Sequence, residues 1–364
     1  MLTARPIRPI RRIRRGAVLA ALSVLLAACG GDAAAPESPA SAPAPESAPA
    51  TEDAPGALVI YSGRNENLIG EYLESFTAAT GIEVEVRYGD TAELAIQILE
   101  EGARSPADVY FGQDAGALGA LQAAGRLAKL PDDVIELVDP RYRSRDGRWT
   151  GITGRSRNLV VNTGIVDPAE LPDSVFGLTD ARWSGLVGWA PQNGSFQAFV
   201  TAMRVVHGDD VARDWLGSMI ANGVTQYRNN TTIVEAVGRG EIAVGLTNNY
   251  YLPRFTAEDP SFPAVNVYLP GDVGGIVNVA GAGIVDSSSR PLAAAEFIRF
   301  MLSEDIQAAF GSRVDAAEFP LRTGIDSTLL PTLDALGAPD LDLSLLEDLQ
   351  GTLALLQEVG AFDS

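Results

Sequence analysis

From residue 56 onward the hydrophobic period switches repeatedly between two and 3.6 residues, and this alternation is the tightest constraint on the fold. Residues 58–61, Leu-Val-Ile-Tyr, predict a short buried strand. Over 66–80 apolar residues fall at 68, 69, 72, 73 and 76, one face of a helix that Gly81 ends. Residues 82–88 alternate apolar with charged side chains, a strand. A helix over 91–101, a strand over 107–111 and a helix over 115–124 follow, the helices stopped by Gly102 and Gly125. A βαβαβ run of this kind implies a parallel, doubly wound sheet. A second set predicts strands at 186–190, 242–246 and 277–285, and helices at 195–207, 233–237 and 292–302. No repeat or long internal linker separates the two sets, so crossing strands are expected to join them.

At 364 residues the chain has room for about two domains of ~150 residues. With 46% apolar and 20% charged residues it is too polar for a multi-span membrane protein and too apolar for a disordered one. The formal charge of −20 argues against nucleic-acid binding, which draws its affinity from a basic face. One Cys excludes an intramolecular disulfide, and one His excludes multi-His zinc chemistry. That histidine, His207, precedes Gly208 at the end of an apolar helix and reads as a helix-end residue. Phosphate-loop, dinucleotide-loop and nucleophile-elbow motifs are absent. No spacing singles out a catalytic carboxylate pair, so an enzyme is not expected.

The first 28 residues read as an export signal. Arg5, Arg8, Arg11, Arg12, Arg14 and Arg15 precede an apolar run over 17–28, too short for a spanning helix of about 20 residues. Leu26-Ala27-Ala28-Cys29 resembles a lipobox, which implies lipidation of Cys29 and a membrane anchor on the extracytoplasmic face. Residues 29–55 then form a tether, with six prolines in the 24 residues from Asp32 to Pro55.

Within the body, Asn248-Asn249-Tyr250-Tyr251 stands out. The preceding strand is predicted to end at Thr247, with Asn248 or Asn249 capping a helix into which the tyrosines lead. In such a turn both phenol oxygens can converge. Phenolate is a hard donor suited to a hard trivalent cation, and two aromatics packing at a strand end are the alternative. Other polar turns, Ser62-Gly63-Arg64-Asn65, Gly112-Gln113-Asp114, Asn193-Gly194-Ser195-Phe196 and Asn229-Asn230-Thr231-Thr232, are expected at the same edge, where open α/β sheets bind ligands.

Four stretches, Val59-Ile60-Tyr61-Ser62-Gly63, Ser105-Pro106-Ala107-Asp108-Val109, Gly154-Arg155-Ser156-Arg157 and Asn248-Asn249-Tyr250-Tyr251, resemble the ferric-ion-binding lipoproteins and periplasmic proteins of ABC importers. The resemblance implies an α/β, two-lobed type II periplasmic-binding-protein fold. Its lobes would comprise 56–153 with 274–325 and 154–273 with 326–364. It further implies a monomer that closes over Fe(III) and hands it to a permease. Tyr250 and Tyr251 match the family's phenolate ligands. Asn193, Gly194, Ser195, Asn230 and Asn248 match positions that hold a synergistic anion, and Arg155 and Arg157 are candidates for charge compensation. The chain departs from the family at Asn65 and Gln113, where many relatives carry His and Glu. Carbonate, phosphate or citrate is then expected to complete the iron shell. Capture of another small anionic or organic solute is the alternative, and a secreted carboxylate-dependent hydrolase a more distant one.

Overall fold

The computed structural model describes residues 53–363, so the expectations for the signal, for Cys29 and for most of the tether fall outside the described residues. The chain opens with β1 (Leu58–Ser62), α1 (Glu66–Thr80), β2 (Val84–Tyr88), α2 (Thr91–Glu101), β3 (Val109–Gly112), α3 (Ala115–Ala123) and the single turn α4 (Asp132–Ile135). Strand β4 (Thr150–Asn162) leads into β5 (Val187–Trp189), α5 (Gly194–His207), α6 (Asp209–Ala221), β6 (Thr225–Gln226), α7 (Asn230–Gly238) and β7 (Val244–Asn248). Next come α8 (Leu252–Glu258), β8 (Ala264–Val267), β9 (Val277–Ile284), α9 (Pro291–Met301), α10 (Glu304–Ser312) and β10 (Phe319–Pro320). The chain closes with α11 (Leu333–Leu336) and α12 (Leu349–Glu358).

The expected parallel pairing holds for β2-β1-β3 and for β6-β5-β7. Between these sets the order runs β3-β9-β4-β7, and here every pairing is antiparallel. Strand β4 is the spine. Its first half pairs with β9 and β10, its second half with β7 and β8. All thirteen of its residues are buried, although Thr153 to Asn158 contribute two arginines, an asparagine and two hydroxyls. Such a strand survives burial only because its polar groups find partners. Gly151 lets the neighbouring chain approach, since a Cβ there would lie 2.7 Å from the Tyr142 carbonyl oxygen.

Elsewhere the elements form for local reasons. Asn65, Asp90 and Asp114 cap α1, α2 and α3 through side-chain oxygens, and Gly81 closes α1 in the left-handed region at φ 75°. The apolar face predicted for α1 is buried at Ile69, Tyr72, Leu73 and Phe76. Each such side chain contributes about 1.5–3 kcal/mol. Residues 53–55, given to the tether by composition, are held to the body. Asp53 accepts from the Leu292 and Ala293 N–H groups at 2.9 and 2.7 Å, and Arg290 donates to the Pro55 carbonyl. The C-terminal segment touches elements from both sets. Residues Leu343–Glu347 lie against α3, where a Cβ on Gly119 would meet the Ser344 carbonyl oxygen at 2.1 Å, and Thr352 of α12 bonds Thr201 of α5.

Candidate metal-binding site

The functional loop follows β7. The strand continues to Asn248, one residue beyond the predicted end, and α8 starts at Leu252. Pro253 sits in the first turn of α8 as expected. Neither asparagine caps that helix, contrary to expectation: the cap position is Tyr251, and no side chain bonds there. Both asparagines are drawn instead toward β4. Asn248 Oδ1 accepts from Arg157 Nη1 at 3.0 Å, and Asn249 Oδ1 accepts from the Ser156 N–H at 2.9 Å. Their amides thus satisfy the buried polar strand rather than a helix end.

Because the chain leaves extended geometry after Asn248, the two tyrosines do not diverge to opposite faces. Their ring centroids are 4.4 Å apart and their phenol oxygens 3.4 Å apart. Burial, then the neighbouring Tyr251 phenol, pushes the Tyr250 pKa well above its ordinary value. At an effective dielectric constant of about 20, two phenolates 3.4 Å apart repel by about 5 kcal/mol. Without a cation Tyr250 therefore stays protonated at neutral pH.

Two cavities meet at Tyr250 and Gln113. The first, about 210 Å³, is bounded by Arg64, Asn65, Arg254, Asp315 and Glu318. The second, about 220 Å³, is bounded by Asp114, Arg155, Arg157, Asn193, Gly194, Ser195, Asn248 and Asn278. The loops expected to gather at the carboxyl edge of the strands do so, with two corrections. Tyr251 bounds neither cavity and is half-buried against the apolar cluster of Ile233, Val237 and Leu252. Asn230 is fully buried and does not bound either cavity; its Nδ2 donates to Ser195 Oγ at 3.1 Å and so supports the residue in front of it. Ser195 in turn donates to Asn193 Oδ1 at 2.7 Å, which also accepts from the Ser195 N–H and caps α5.

Arg157 shares the second cavity with Arg155. It is 3% exposed, with Nη1 on Asn248 and Ser195 and its guanidinium carbon 5.3 and 5.8 Å from the Phe199 and Phe196 ring centroids. No carboxylate pairs with it among the described residues, and Nη2 has no hydrogen-bond partner. Burial pulls its pKa down, opposed by the tyrosines. An unpaired buried guanidinium is costly to keep.

The facing wall of the first cavity contains two residues the sequence reading did not single out. Arg64 is 1% exposed and donates through Nη2 to Glu318 at 2.7 Å and through Nη1 to Gln113 Oε1 at 2.9 Å. Glu318 also accepts from Thr153 at 2.7 Å and lies 4.0 Å from Arg155, which donates to the Gln113 carbonyl. Burial acts to raise the Glu318 carboxyl, but Arg64, then Arg155 and Thr153, hold it below the ordinary carboxylate value. The available signal was a lone acid in the otherwise apolar stretch Ala316 to Leu321. Asn65 spends its Oδ1 on the α1 cap. Among the described residues no group of three His, Cys, Asp or Glu side chains is placed to hold a metal. The Tyr250 and Tyr251 phenol oxygens are hard donors that no ion pair occupies.

Residues 57–313 match the family described as bacterial extracellular solute-binding protein. An Fe(3+)-binding periplasmic protein of Serratia marcescens is 32% identical over 83% of this chain and 90% of its own length. The major ferric iron-binding protein of Neisseria meningitidis serogroup B is 31% identical over 83% and 92%. Among solved structures, iron-bound HitA from Pseudomonas aeruginosa superposes with a TM-score of 0.74 at 37% identity, covering 84% of this chain and all of that one. A Trichodesmium protein in complex with iron and citrate gives 0.73 at 27% identity, covering 84% and 99%. With this fold and these relatives, the chain belongs to the bacterial extracellular solute-binding proteins and has the type II periplasmic-binding-protein architecture.

Proposed function

We propose that the protein captures ferric iron together with an oxyanion and delivers it to an ABC permease, without catalysing a reaction. The observation that carries this reading is the 3.4 Å approach of the Tyr250 and Tyr251 oxygens beside the unpaired Arg157. Ferric iron, a hard trivalent cation, displaces both phenol protons and removes the repulsion that keeps them bound. The anion enters the second cavity, where Arg157, whose Nη2 has no hydrogen-bond partner, receives it beside Ser195. Relatives named for ferric-iron binding, and a neighbour solved with iron and citrate, support the cargo.

The two sets of strands act as lobes that close over the cargo, bending near 154–157 and 271–277. Lipidation at Cys29 would hold this body at the extracytoplasmic membrane face as a monomer on its tether. Uptake of another small anionic solute is the second reading, favoured by the same unpaired Arg157. Titration of the purified protein with ferric salt in bicarbonate or phosphate buffer separates the two. Ferric capture gives a visible phenolate-to-iron charge-transfer band that Tyr250→Phe, Tyr251→Phe abolishes; a solute binder gives no band.

A further inference from the structure

We infer that Glu318 is a built-in oxyanion: its carboxylate fills the place an external anion would take at Arg64, so that the site admits one external oxyanion, at Arg157. The inference rests on the anion half of the reading above and specifies what limits it. It starts from an imbalance of buried charge. Three buried arginines, Arg64, Arg155 and Arg157, bound the two cavities. Glu318 is the one buried carboxylate that does so among the described residues. Asp114 is half-buried, and Asp315 is exposed and pairs with Arg313 at 2.8 Å. Arg254, the remaining cation of the first cavity, is also exposed, where solvent screens its charge.

Glu318 spends its charge on one side only. Its Oε2 accepts from Arg64 Nη2 and from Thr153 Oγ1, both at 2.7 Å, and its Oε1 lies 4.0 Å from Arg155 Nε. A guanidinium and a hydroxyl converging on one oxygen form a charge-assisted oxyanion site, and here the chain supplies the oxyanion itself. Thr153, Arg155 and Arg157 alternate along β4, so they lie on one face of the strand. Glu318 reaches the first two. Arg157, at the end of the row, has no carboxylate partner and an Nη2 without a hydrogen bond. Without Glu318, Arg64 would be a second buried cation with no counter-charge, beside a cavity of about 210 Å³. An anion entering there would stand next to Tyr250, in the space the first cavity otherwise leaves to a cation.

Calorimetric titration of the iron-free full chain with inorganic phosphate at neutral pH tests this. The wild type is expected to bind one phosphate. Arg157→Gln, which removes a cation that no carboxylate pairs, should weaken that binding by about tenfold or more. Glu318→Gln should bind a second phosphate, and Glu318→Gln with Arg64→Gln should return to one. No phosphate or two on the wild type, or a folded Glu318→Gln that binds only one, overturns the inference. If Glu318→Gln does not fold, Arg157→Gln decides: phosphate bound as tightly as by the wild type means that Arg64 is open to anions and that Glu318 does not fill it. A ferric titration of the same wild-type protein keeps the two readings apart. No charge-transfer band overturns ferric capture and leaves the phosphate counts to decide the inference, whereas a band together with two phosphates overturns the inference and leaves ferric capture standing.

Discussion

Asn249 Nδ2 donates to the Ala317 carbonyl oxygen at 2.7 Å, joining the residue before Tyr250 to the residue before Glu318. The same side chain accepts from the Ser156 N–H, and its backbone N–H donates to the Ser156 carbonyl. Ala317 has φ 45°, the only positive φ at a non-glycine residue among the described residues. One buried amide thus fastens the tyrosine loop, the centre of β4 and a strained backbone position.

Asn249→Ala leaves the Ser156 N–H and the Ala317 carbonyl without this partner, so we expect a loss of about 2–4 kcal/mol in denaturant unfolding. Ala317→Gly should be close to neutral, since relief of strain offsets added chain entropy. Ala317→Val, branched at Cβ, should cost more than Ala317→Gly. The reverse order would show that the positive φ is not under strain.

Acid stability should follow Glu318. Its folded pKa lies below the ordinary value of 4.5, so its contribution is complete above that value and disappears as pH falls through the lower folded one. The stability gap between wild type and Glu318→Gln should therefore be full at neutral pH and shrink only below about pH 4.5. Glu318→Ala, which strands the buried Arg64, should cost about 3–5 kcal/mol at neutral pH. A gap that is constant across the acid range would mean the carboxyl is not ionised.

Iron uptake should release protons. Tyr250 is neutral because burial raises its pKa, and it shares its turn with Tyr251. Phenolate ligation then frees protons as iron binds, so log affinity rises with pH below the phenol range. Calorimetry in buffers of different ionisation enthalpy counts them. Proton release near zero would exclude phenolate ligation.

Arg157→Gln separates function from stability. Anion-supported ferric affinity should fall about 10–100-fold, while binding in buffer free of carbonate, phosphate and citrate stays weak and unchanged. Removing a buried cation that has no carboxylate should leave the apo protein at least as stable by thermal melting. A large drop in melting temperature would recast Arg157 as structural.

Closure should be visible in solution scattering as a smaller radius of gyration with ferric iron and anion at saturation. Residues Leu343–Glu347 against α3, and α12 against α5, bridge elements of both strand sets. Deleting residues 340–364 should change the open-to-closed balance, read as an altered radius without ligand. An identical radius with and without ligand in the full chain would rule out closure as the capture step.

The elements whose side chains repeat locally were legible from the chain alone. Strands β1, β2, β3, β5, β7 and β9 and helices α1, α2, α3, α5 and α9 declare themselves through apolar period, caps and terminal glycines. The tyrosine pair was legible as two phenols at a strand end before a proline-bearing turn, while the spacing of their rings and oxygens is what the fold adds. Strand β4 was not: its centre, Thr153 to Asn158, is polar, and a buried polar strand carries no hydrophobic period to read. What hid it is also what makes it the site.

The charges and the directions of the amides belong to tertiary structure alone. Arg64 and Glu318 are 254 residues apart, and nothing local to either announces an ion pair. Asn65 and Gln113 are visible in sequence as neutral replacements, but only the fold gives their oxygens the Leu68 N–H and Arg64 as hydrogen-bond donors. Sequence determines periodicity and the residue types available at each strand end. Packing decides which buried donor meets which acceptor, because an unpaired polar group costs more inside than any local preference can offset.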